Sequence, residues 1–339
     1  MKSVVFTKPR EYEIVDVPIP DVGSNDVLIK MKALGICGSE LNVFKGANPV
    51  AVFPVVPAHE NAGVVEKVGD LVRGINVGDH VVTDAANACG KCPECKKGEK
   101  NHCKGLRIRG ANIDGGMQEY YAAPQEDVYV ISKDISWLDA AMIEPFTIGS
   151  QAVCRGRVSS EDIVYIFGSG TIATTIIQLC KLAEATVICA GRNAVTLARA
   201  KEHGADFVID TNNDDLVEKL SEITNGEGVS VAIDTACYEG SLASLFQPGI
   251  VRSGGRIVTI GFCPIPEISQ SMVMQRELEL IGSRLSCGQF EFIAKAMAEK
   301  KLITKDLITH VFKFDEIEKV FHYFENPDPS VKKMVVTFE

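Results

Sequence analysis

A chain of 339 residues is long for one hydrophobic core, and its length favours two domains. With 46% hydrophobic and 24% charged residues it reads as a folded protein, which excludes a disordered one. Lys and Arg number 35 against 45 Asp and Glu, and the net charge of −10 argues against nucleic acid or an anionic membrane as partner and for a small-molecule substrate.

The start, Met1 to Arg10, has no apolar run of signal-peptide length, and no uninterrupted apolar stretch approaches a membrane span. A cytoplasmic location is expected. In a reducing compartment, eleven cysteines predict metal ligands where they cluster, not a disulfide framework.

The first third reads as β-rich. Short apolar runs at Val4-Val5-Phe6, Val27-Leu28-Ile29, Gly63-Val64-Val65 and Val81-Val82 are separated by Gly, Pro and Asp. Next comes Cys89-Gly-Lys-Cys92-Pro-Glu-Cys95, with Cys103 after seven further residues. Four thiolates so spaced close a tetrahedron with no open position, the pattern of a structural zinc. An iron–sulfur cluster is the rival, but the long final gap and the missing Cys-Pro close favour zinc.

From about Ser160 the rhythm changes to strand–helix alternation. Strands are expected at 163–167, 186–189, 208–209, 229–234 and 256–260, and helices at 172–183 and 194–203. This pattern predicts a parallel sheet with helices on both faces. The strand Val164 to Phe167 runs into Gly168-Ser-Gly170-Thr171-Ile172-Ala173 and then a helix. Gly168 permits the tight turn, Gly170 lets a pyrophosphate approach the backbone, and Ala173 allows close helix–strand packing. The unpaired N–H groups of Thr171 and Ile172 at the helix start suit the phosphates.

The next strand ends in Gly191-Arg192-Asn193, where an NAD enzyme usually carries an acid for the ribose hydroxyls. A small residue followed by Arg makes room for a 2′-phosphate and pairs with it, so NADP is expected over NAD. Gly254-Gly255 reads as a turn feeding a strand. Beyond Leu280 the pattern predicts a helix near 290–300 and a final strand over 333–338. Cys154, Cys180, Cys189, Cys237, Cys263 and Cys287 are isolated, and most are expected to be small buried residues.

Three further motifs follow in register: Gly35-Ile-Cys37-Gly-Ser39-Glu40, His59-Glu60-Asn-Ala-Gly63 and Val77-Gly78-Asp79-His-Val81. With the cysteine lobe and the glycine turn, they resemble the zinc-containing medium-chain dehydrogenase/reductase family over essentially the whole chain. Glu144-Pro145 and Leu307-Ile308-Thr309-His310 are similar to its polyol, sugar-acid and threonine dehydrogenase branch, including bacterial galactonate and starvation-sensing oxidoreductases.

The resemblance implies two zinc ions per chain. Cys37, His59 and Glu60 would bind the catalytic one, with Glu144 as a fourth or exchangeable ligand, and Cys89, Cys92, Cys95 and Cys103 the structural one. A thiolate, an imidazole and a carboxylate leave a position open, as a catalytic zinc requires. Ser39 would hydrogen-bond the substrate alcohol and start its proton toward solvent. Glu40 would orient the ligand histidine where the family usually has Asp. Two departures stand out: Asn42 replaces a relay histidine, and Ala58 replaces the usual Gly before the ligand histidine.

The expected fold is two-domain α/β. A GroES-like β-barrel catalytic domain spans 1–150 and 283–339, with its zinc lobe at 87–105, and a Rossmann NAD(P)-binding domain spans 151–282. Zinc and substrate are expected in the cleft between the domains. The resemblance also implies a homotetramer or homodimer, with its interface sought over 250–282. The expected activity is hydride transfer between a secondary alcohol of a polyol or sugar acid and NADP or NAD. A zinc-independent quinone or enone reductase, or a non-catalytic regulatory homologue, is the alternative on this scaffold.

Overall fold

The structure is a computed structural model that describes residues 1–261, 268–328 and 330–338. Its contacts divide the chain into two compact units, Met1–Thr147 with Leu285–Glu339, and Ile148–Arg284.

The first unit opens with a hairpin of β1 (Lys2–Lys8) and β2 (Glu11–Asp16). A long strand, β3 (Asp26–Ile36), leads through helix α1 (Gly38–Phe44) to β4 (Glu60–Val68) and β5 (His80–Thr83). A small pair, β6 (Ala86–Asn87) and β7 (Arg107–Ile108), closes the base of the cysteine lobe, which holds the short helix α2 (Pro93–Lys96). β8 (Tyr120–Pro124), β9 (Val128–Ile131) and the helix α3 (Trp137–Ala140) follow, and the chain passes into the second unit within helix α4 (Ile143–Arg155).

The sequence reading expects only a short run at the start of β3, yet the strand spans eleven residues, because its second half pairs with neighbours distant in sequence. Val27, Ile29 and Met31 point into the main core with the period of two that a strand imposes. Beyond a register shift between Met31 and Ala33 the phase reverses. Leu34 and Ile36 now face that core, while Ala33 packs with Ala141 and Val335 on the other face. One extra residue in a ladder does this, and it re-aims everything downstream.

In the second unit, β10 (Ile163–Phe167), α5 (Thr171–Leu182), β11 (Thr186–Gly191), α6 (Ala194–Glu202), β12 (Phe207–Asp210), α7 (Leu216–Thr224) and β13 (Val229–Asp234) alternate. The short helix α8 (Ser241–Ser244), β14 (Val251–Thr259), α9 (Gln270–Met274) and β15 (Glu279–Gly282) complete it. All six strands are parallel, in the order β12-β11-β10-β13-β14-β15. That is the doubly wound Rossmann order, with its switch beside β10. Val164 and Ile166 pack on one face with α5, and Tyr165 and Phe167 on the other, so β10 is buried on both sides.

The chain then adds α10 (Phe290–Ala298), β16 (His310–Lys313), α11 (Ile317–Glu325) and β17 (Met334–Thr337) to the first unit. Its main sheet runs β16-β17-β3-β4-β5-β9, with β8 also pairing β3, and this is the GroES-like unit. Helix α11 buries Ile317, Val320, Phe321 and Phe324, one face at helical spacing. Phe321 packs among Phe6, Tyr12, Phe44 and Phe324, tying the end of the chain to its beginning.

Several details differ from expectation. β14 begins at Val251, not 256, and Gly254-Gly255 lies inside it, where five residues span what two cover on β13. Of the isolated cysteines among the described residues, Cys180 and Cys189 are buried, Cys154 is on the exposed side of α4, and Cys237 and Cys287 sit in half-buried turns. Cys263 lies outside the described residues. No described helix is long and apolar enough to cross a membrane.

Phe321→Ala removes the centre of the aromatic cluster. We expect it to destabilise the first unit by about 3–5 kcal/mol. Urea unfolding followed at Trp137, the single tryptophan and a residue of that unit, would measure this.

Candidate functional site

The strand ladder β17–β3–β4 places three distant residues at one end. Gly35 lies opposite Glu60 and opposite Val335, and Ile36 lies opposite Met334. Cys37 therefore leaves β3 beside Glu60 and Lys333. Cys37, His59 and Glu60 bring one ligand atom each to within 4.8 Å of the others. A Cβ on Gly35 would overlap the Glu60 carboxylate, so the glycine is what lets that side chain occupy its position. Ala58, just before His59, is fully buried at φ +76°, in the left-handed region where the family's usual Gly is at ease.

Cys37 is the N-cap of α1, and Glu40 is the third helical residue. Glu40 accepts from the Cys37 backbone N–H at 2.7 Å through one oxygen and holds His59 Nδ1 at 2.6 Å through the other. With Nδ1 so engaged, Nε2 is left to bind an ion. The longer side chain, in place of Asp, is thus both a helix cap and a histidine anchor. Burial works to lower the His59 pKa, but Glu40, Cys37 and Glu144 outweigh it and hold the pKa well above its usual value. The pocket's field favours positive charge, and its sulfur, nitrogen and oxygen donors fit a zinc ion with one position open.

Glu144 is buried on the first turn of α4 and lies outside the trio. Burial pushes its carboxyl up to about 8; His59 pulls it down, and Glu60 adds to the rise. Ser39 is half-buried on the first turn of α1. Asn42 is exposed, and its carbonyl accepts from the N–H groups of Ala47 and Asn48 where α1 ends. Lys333 was not singled out by sequence. It is buried and pairs with Glu60 Oε2 across 273 residues of chain. Nothing local to Lys332-Lys333 marks one of them as buried.

In the lobe, Cys89, Cys92, Cys95 and Cys103 also bring their sulfurs within 4.8 Å of one another. Cys92 and Cys95 are 3.4 Å apart and Cys89 and Cys95 4.0 Å. A single tetrahedral ion with bonds of about 2.3 Å spaces its thiolates by about 3.8 Å. A disulfide needs about 2.05 Å. A multi-iron core would hold the sulfurs farther apart than one ion does. The backbone N–H groups of Lys91 and Cys92 lower the Cys89 thiol to about 6. Below the lobe, Asp127 is fully buried and accepts from Arg109 at 2.7 Å, Asn87 at 3.0 Å and Lys100 at 3.2 Å.

In the second unit, Gly168 follows β10 at φ +111°, where a side chain would collide with Thr235. Gly170 is the N-cap of α5, and a Cβ there would meet only open space. The first glycine answers an internal demand. The second leaves the helix N-terminus open to a ligand. Thr171 and Ile172 form the first turn of α5, and Ala173 is fully buried against the sheet. Gly191 closes β11 against Ser169. Asn193 caps α6, accepting from Thr196 N–H at 3.1 Å. Arg192 is exposed, with its guanidinium 6.0 Å over the Tyr238 ring and its carbonyl held by Asn212.

Residues 23–133 match the family model described as the alcohol dehydrogenase GroES-like domain, and residues 171–299 the one described as zinc-binding dehydrogenase. The chain belongs to the zinc-containing medium-chain dehydrogenase/reductase family, the NAD(P)-dependent alcohol dehydrogenases. It is 33% identical to the starvation-sensing protein RspB of Escherichia coli, over 100% of this chain and 99% of that one. A sorbitol dehydrogenase of Halalkalibacterium halodurans is 32% identical over 95% of each chain. A crystal structure of the RspB alcohol dehydrogenase of E. coli with NADH superposes with a TM-score of 0.93 at 32% identity, covering 100% and 99% of the two chains. A zinc-binding dehydrogenase of Sinorhizobium meliloti bound to NADP gives 0.92 at 29% identity, over 99% and 98%.

Glu40→Ala removes both bonds at once. It is expected to weaken metal retention at the Cys37–His59–Glu60 trio by roughly 10- to 100-fold. Competition against a graded chelator would show it, and unchanged retention would mean that Glu40 only caps the helix.

Proposed function

We propose that the chain catalyses reversible hydride transfer between a secondary alcohol of a polyol or sugar acid and NADP, with NAD the weaker cofactor. The convergence of Cys37, His59 and Glu60 on one point carries this reading, because a reductase that uses no metal has no need of that donor set. The sorbitol dehydrogenase likeness supports the polyol class. The reading includes a cytoplasmic homotetramer or homodimer; light scattering tests its assembly.

Cys37, His59 and Glu60 would hold the catalytic zinc, with Glu144 in reserve, and zinc there supplies the Lewis acidity that lowers the pKa of a substrate hydroxyl. NADP supplies the hydride acceptor. The chain's own residues do the positioning. Glu40 fixes the His59 ring, so its metal-facing nitrogen needs no reorientation. Ser39 holds the substrate hydroxyl and starts its proton outward. Asn42 has no titratable proton, so the path beyond Ser39 would bypass it through water or a nearby carboxylate. Gly168, Gly170 and the first turn of α5, with Thr171, Ile172 and Ala173, receive the pyrophosphate. Gly191 and Asn193 shape the ribose site, and Arg192 pairs with the 2′-phosphate. Cys89, Cys92, Cys95 and Cys103 would hold a second zinc, which would supply a structural cross-link within the lobe.

The test is turnover by zinc-loaded protein over polyols, aldonic and uronic acids, threonine and simple secondary alcohols, with NADP and NAD compared. Turnover within the polyol or sugar-acid class supports the reading; silence across the panel with both cofactors would overturn it. Arg192→Asp should lower the NADP-to-NAD ratio of kcat/KM by roughly 10- to 100-fold, the worth of one charge-assisted pair. Cys95→Ser should cut metal content from two ions per chain to one and lower the melting temperature, as read by elemental analysis and calorimetry.

A further inference from the structure

We infer that Asp127 is a positioning residue that pins the cysteine lobe in its fold whether or not the four sulfurs hold an ion. The inference rests on the reading of the lobe as a metal site and concerns a residue that reading does not use. Asp127 lies outside the lobe, immediately before β9, and its side chain is 1% exposed.

Three separate points of the lobe converge on this one carboxylate. At the entry, Asn87 on β6 donates from Nδ2 to Oδ2 at 3.0 Å. At the exit, just past β7, Arg109 donates to the same oxygen at 2.7 Å. In the middle, Lys100 donates to Oδ1 at 3.2 Å and also to the Glu126 carbonyl. The Asn87 amide is oriented from its other end by Arg107, which donates to Oδ1 at 2.8 Å and 3.2 Å. Asp127 itself sits on a fixed backbone. Its carbonyl accepts from the Asp84 N–H at 2.9 Å, and Val128, the next residue, pairs with Thr83 on β5.

None of these bonds involves a sulfur. Arg109 and Asp127 are buried as a pair, so parting them would leave an unpaired charge out of water, which is strongly opposed. Small zinc modules unfold when their ion leaves, because ligation supplies their folding free energy. Here charge-assisted hydrogen bonds tie the entry, the middle and the exit of the lobe to the body of the first unit. The sulfurs are thus gathered before any ion arrives. The ion can leave and return without the lobe unfolding.

The test is hydrogen exchange read by mass spectrometry, with tryptic cleavage at the exposed Lys91, Lys96, Lys97 and Lys104 as a second readout. It uses the zinc-loaded full chain as wild type, Cys95→Ser, Asp127→Asn and the double variant. Cys95→Ser should keep the lobe amides close to wild-type protection and resist trypsin. Adding Asp127→Asn should lower protection across 87–109 by at least roughly 100-fold, with the strands of the second unit unchanged. If Asp127→Asn does not fold, Lys100→Met with Cys95→Ser carries the test, since it removes one tie from a partly exposed side chain. That pair should open 96–103, and Lys100→Arg in place of Lys100→Met should restore protection. An open lobe in Cys95→Ser alone would overturn the inference and make the ion the sole support. Equal protection in the single and double variants would also overturn it, leaving the hold to the β6–β7 pair and the Cys287–Gly98 contact. A wild type that takes up no ion at the lobe would sink the structural-zinc reading alone. There, opening of the lobe by Asp127→Asn would still support the pin, and no opening would overturn it.

Discussion

The register of β17–β3–β4 is the constraint on which the candidate metal centre depends. Side chains alternate along a strand, so a slip of one residue would send Glu60 to the opposite face of the sheet. Three features hold the register. The shift between Met31 and Ala33 reverses the phase of β3. Gly35 then offers no side chain where the Glu60 carboxylate must lie. Val335 packs with Ala33 and Ala141 on the same face, which fixes β17 and with it Lys333. The ladder thus joins residues near positions 37, 60 and 333 without requiring any of them to be near another in sequence.

This explains what could be read beforehand. The cysteine lobe and the glycine turn are local, their spacing is their geometry, and in both the structure brings the expected residues together. The strand–helix alternation of the second unit is legible for the same reason: a parallel strand buried on both faces is a nearly continuous apolar run. The full length of β3 was not legible, since its second half is held by partners far away. Nor was the burial of Lys333 or of Asp127. Each is a charged residue in ordinary surroundings until folding supplies its counterion. The exposure of Cys154 was missed because cysteine composition does not tell a buried thiol from one on the outer side of a helix.

The two glycines of the nucleotide turn show how one residue type answers two different demands. Gly168 is required by the protein itself, through a positive φ and the closeness of Thr235. Gly170 has an ordinary φ and empty space where its side chain would be. At an N-cap alanine is far poorer than glycine, so Gly170 suits the helix start itself while leaving its N–H groups open to a ligand.

Charge balance links the metal centre to its surroundings. Cys37, Glu40, Glu60 and Glu144 gather around His59, with Lys333 as the buried cation. So many acidic groups out of water are stable only if cations or protons compensate them. Glu144 shows the strain on that balance, since burial drives its carboxyl toward the protonated form. A divalent ion on the trio answers the same need more completely than a proton, because it can be shared among several donors at once. The lobe solves its own balance separately, with Lys100 and Arg109 meeting the buried carboxylate of Asp127 below it. The trio gathers negative charge around one point, whereas the lobe brings four sulfurs together.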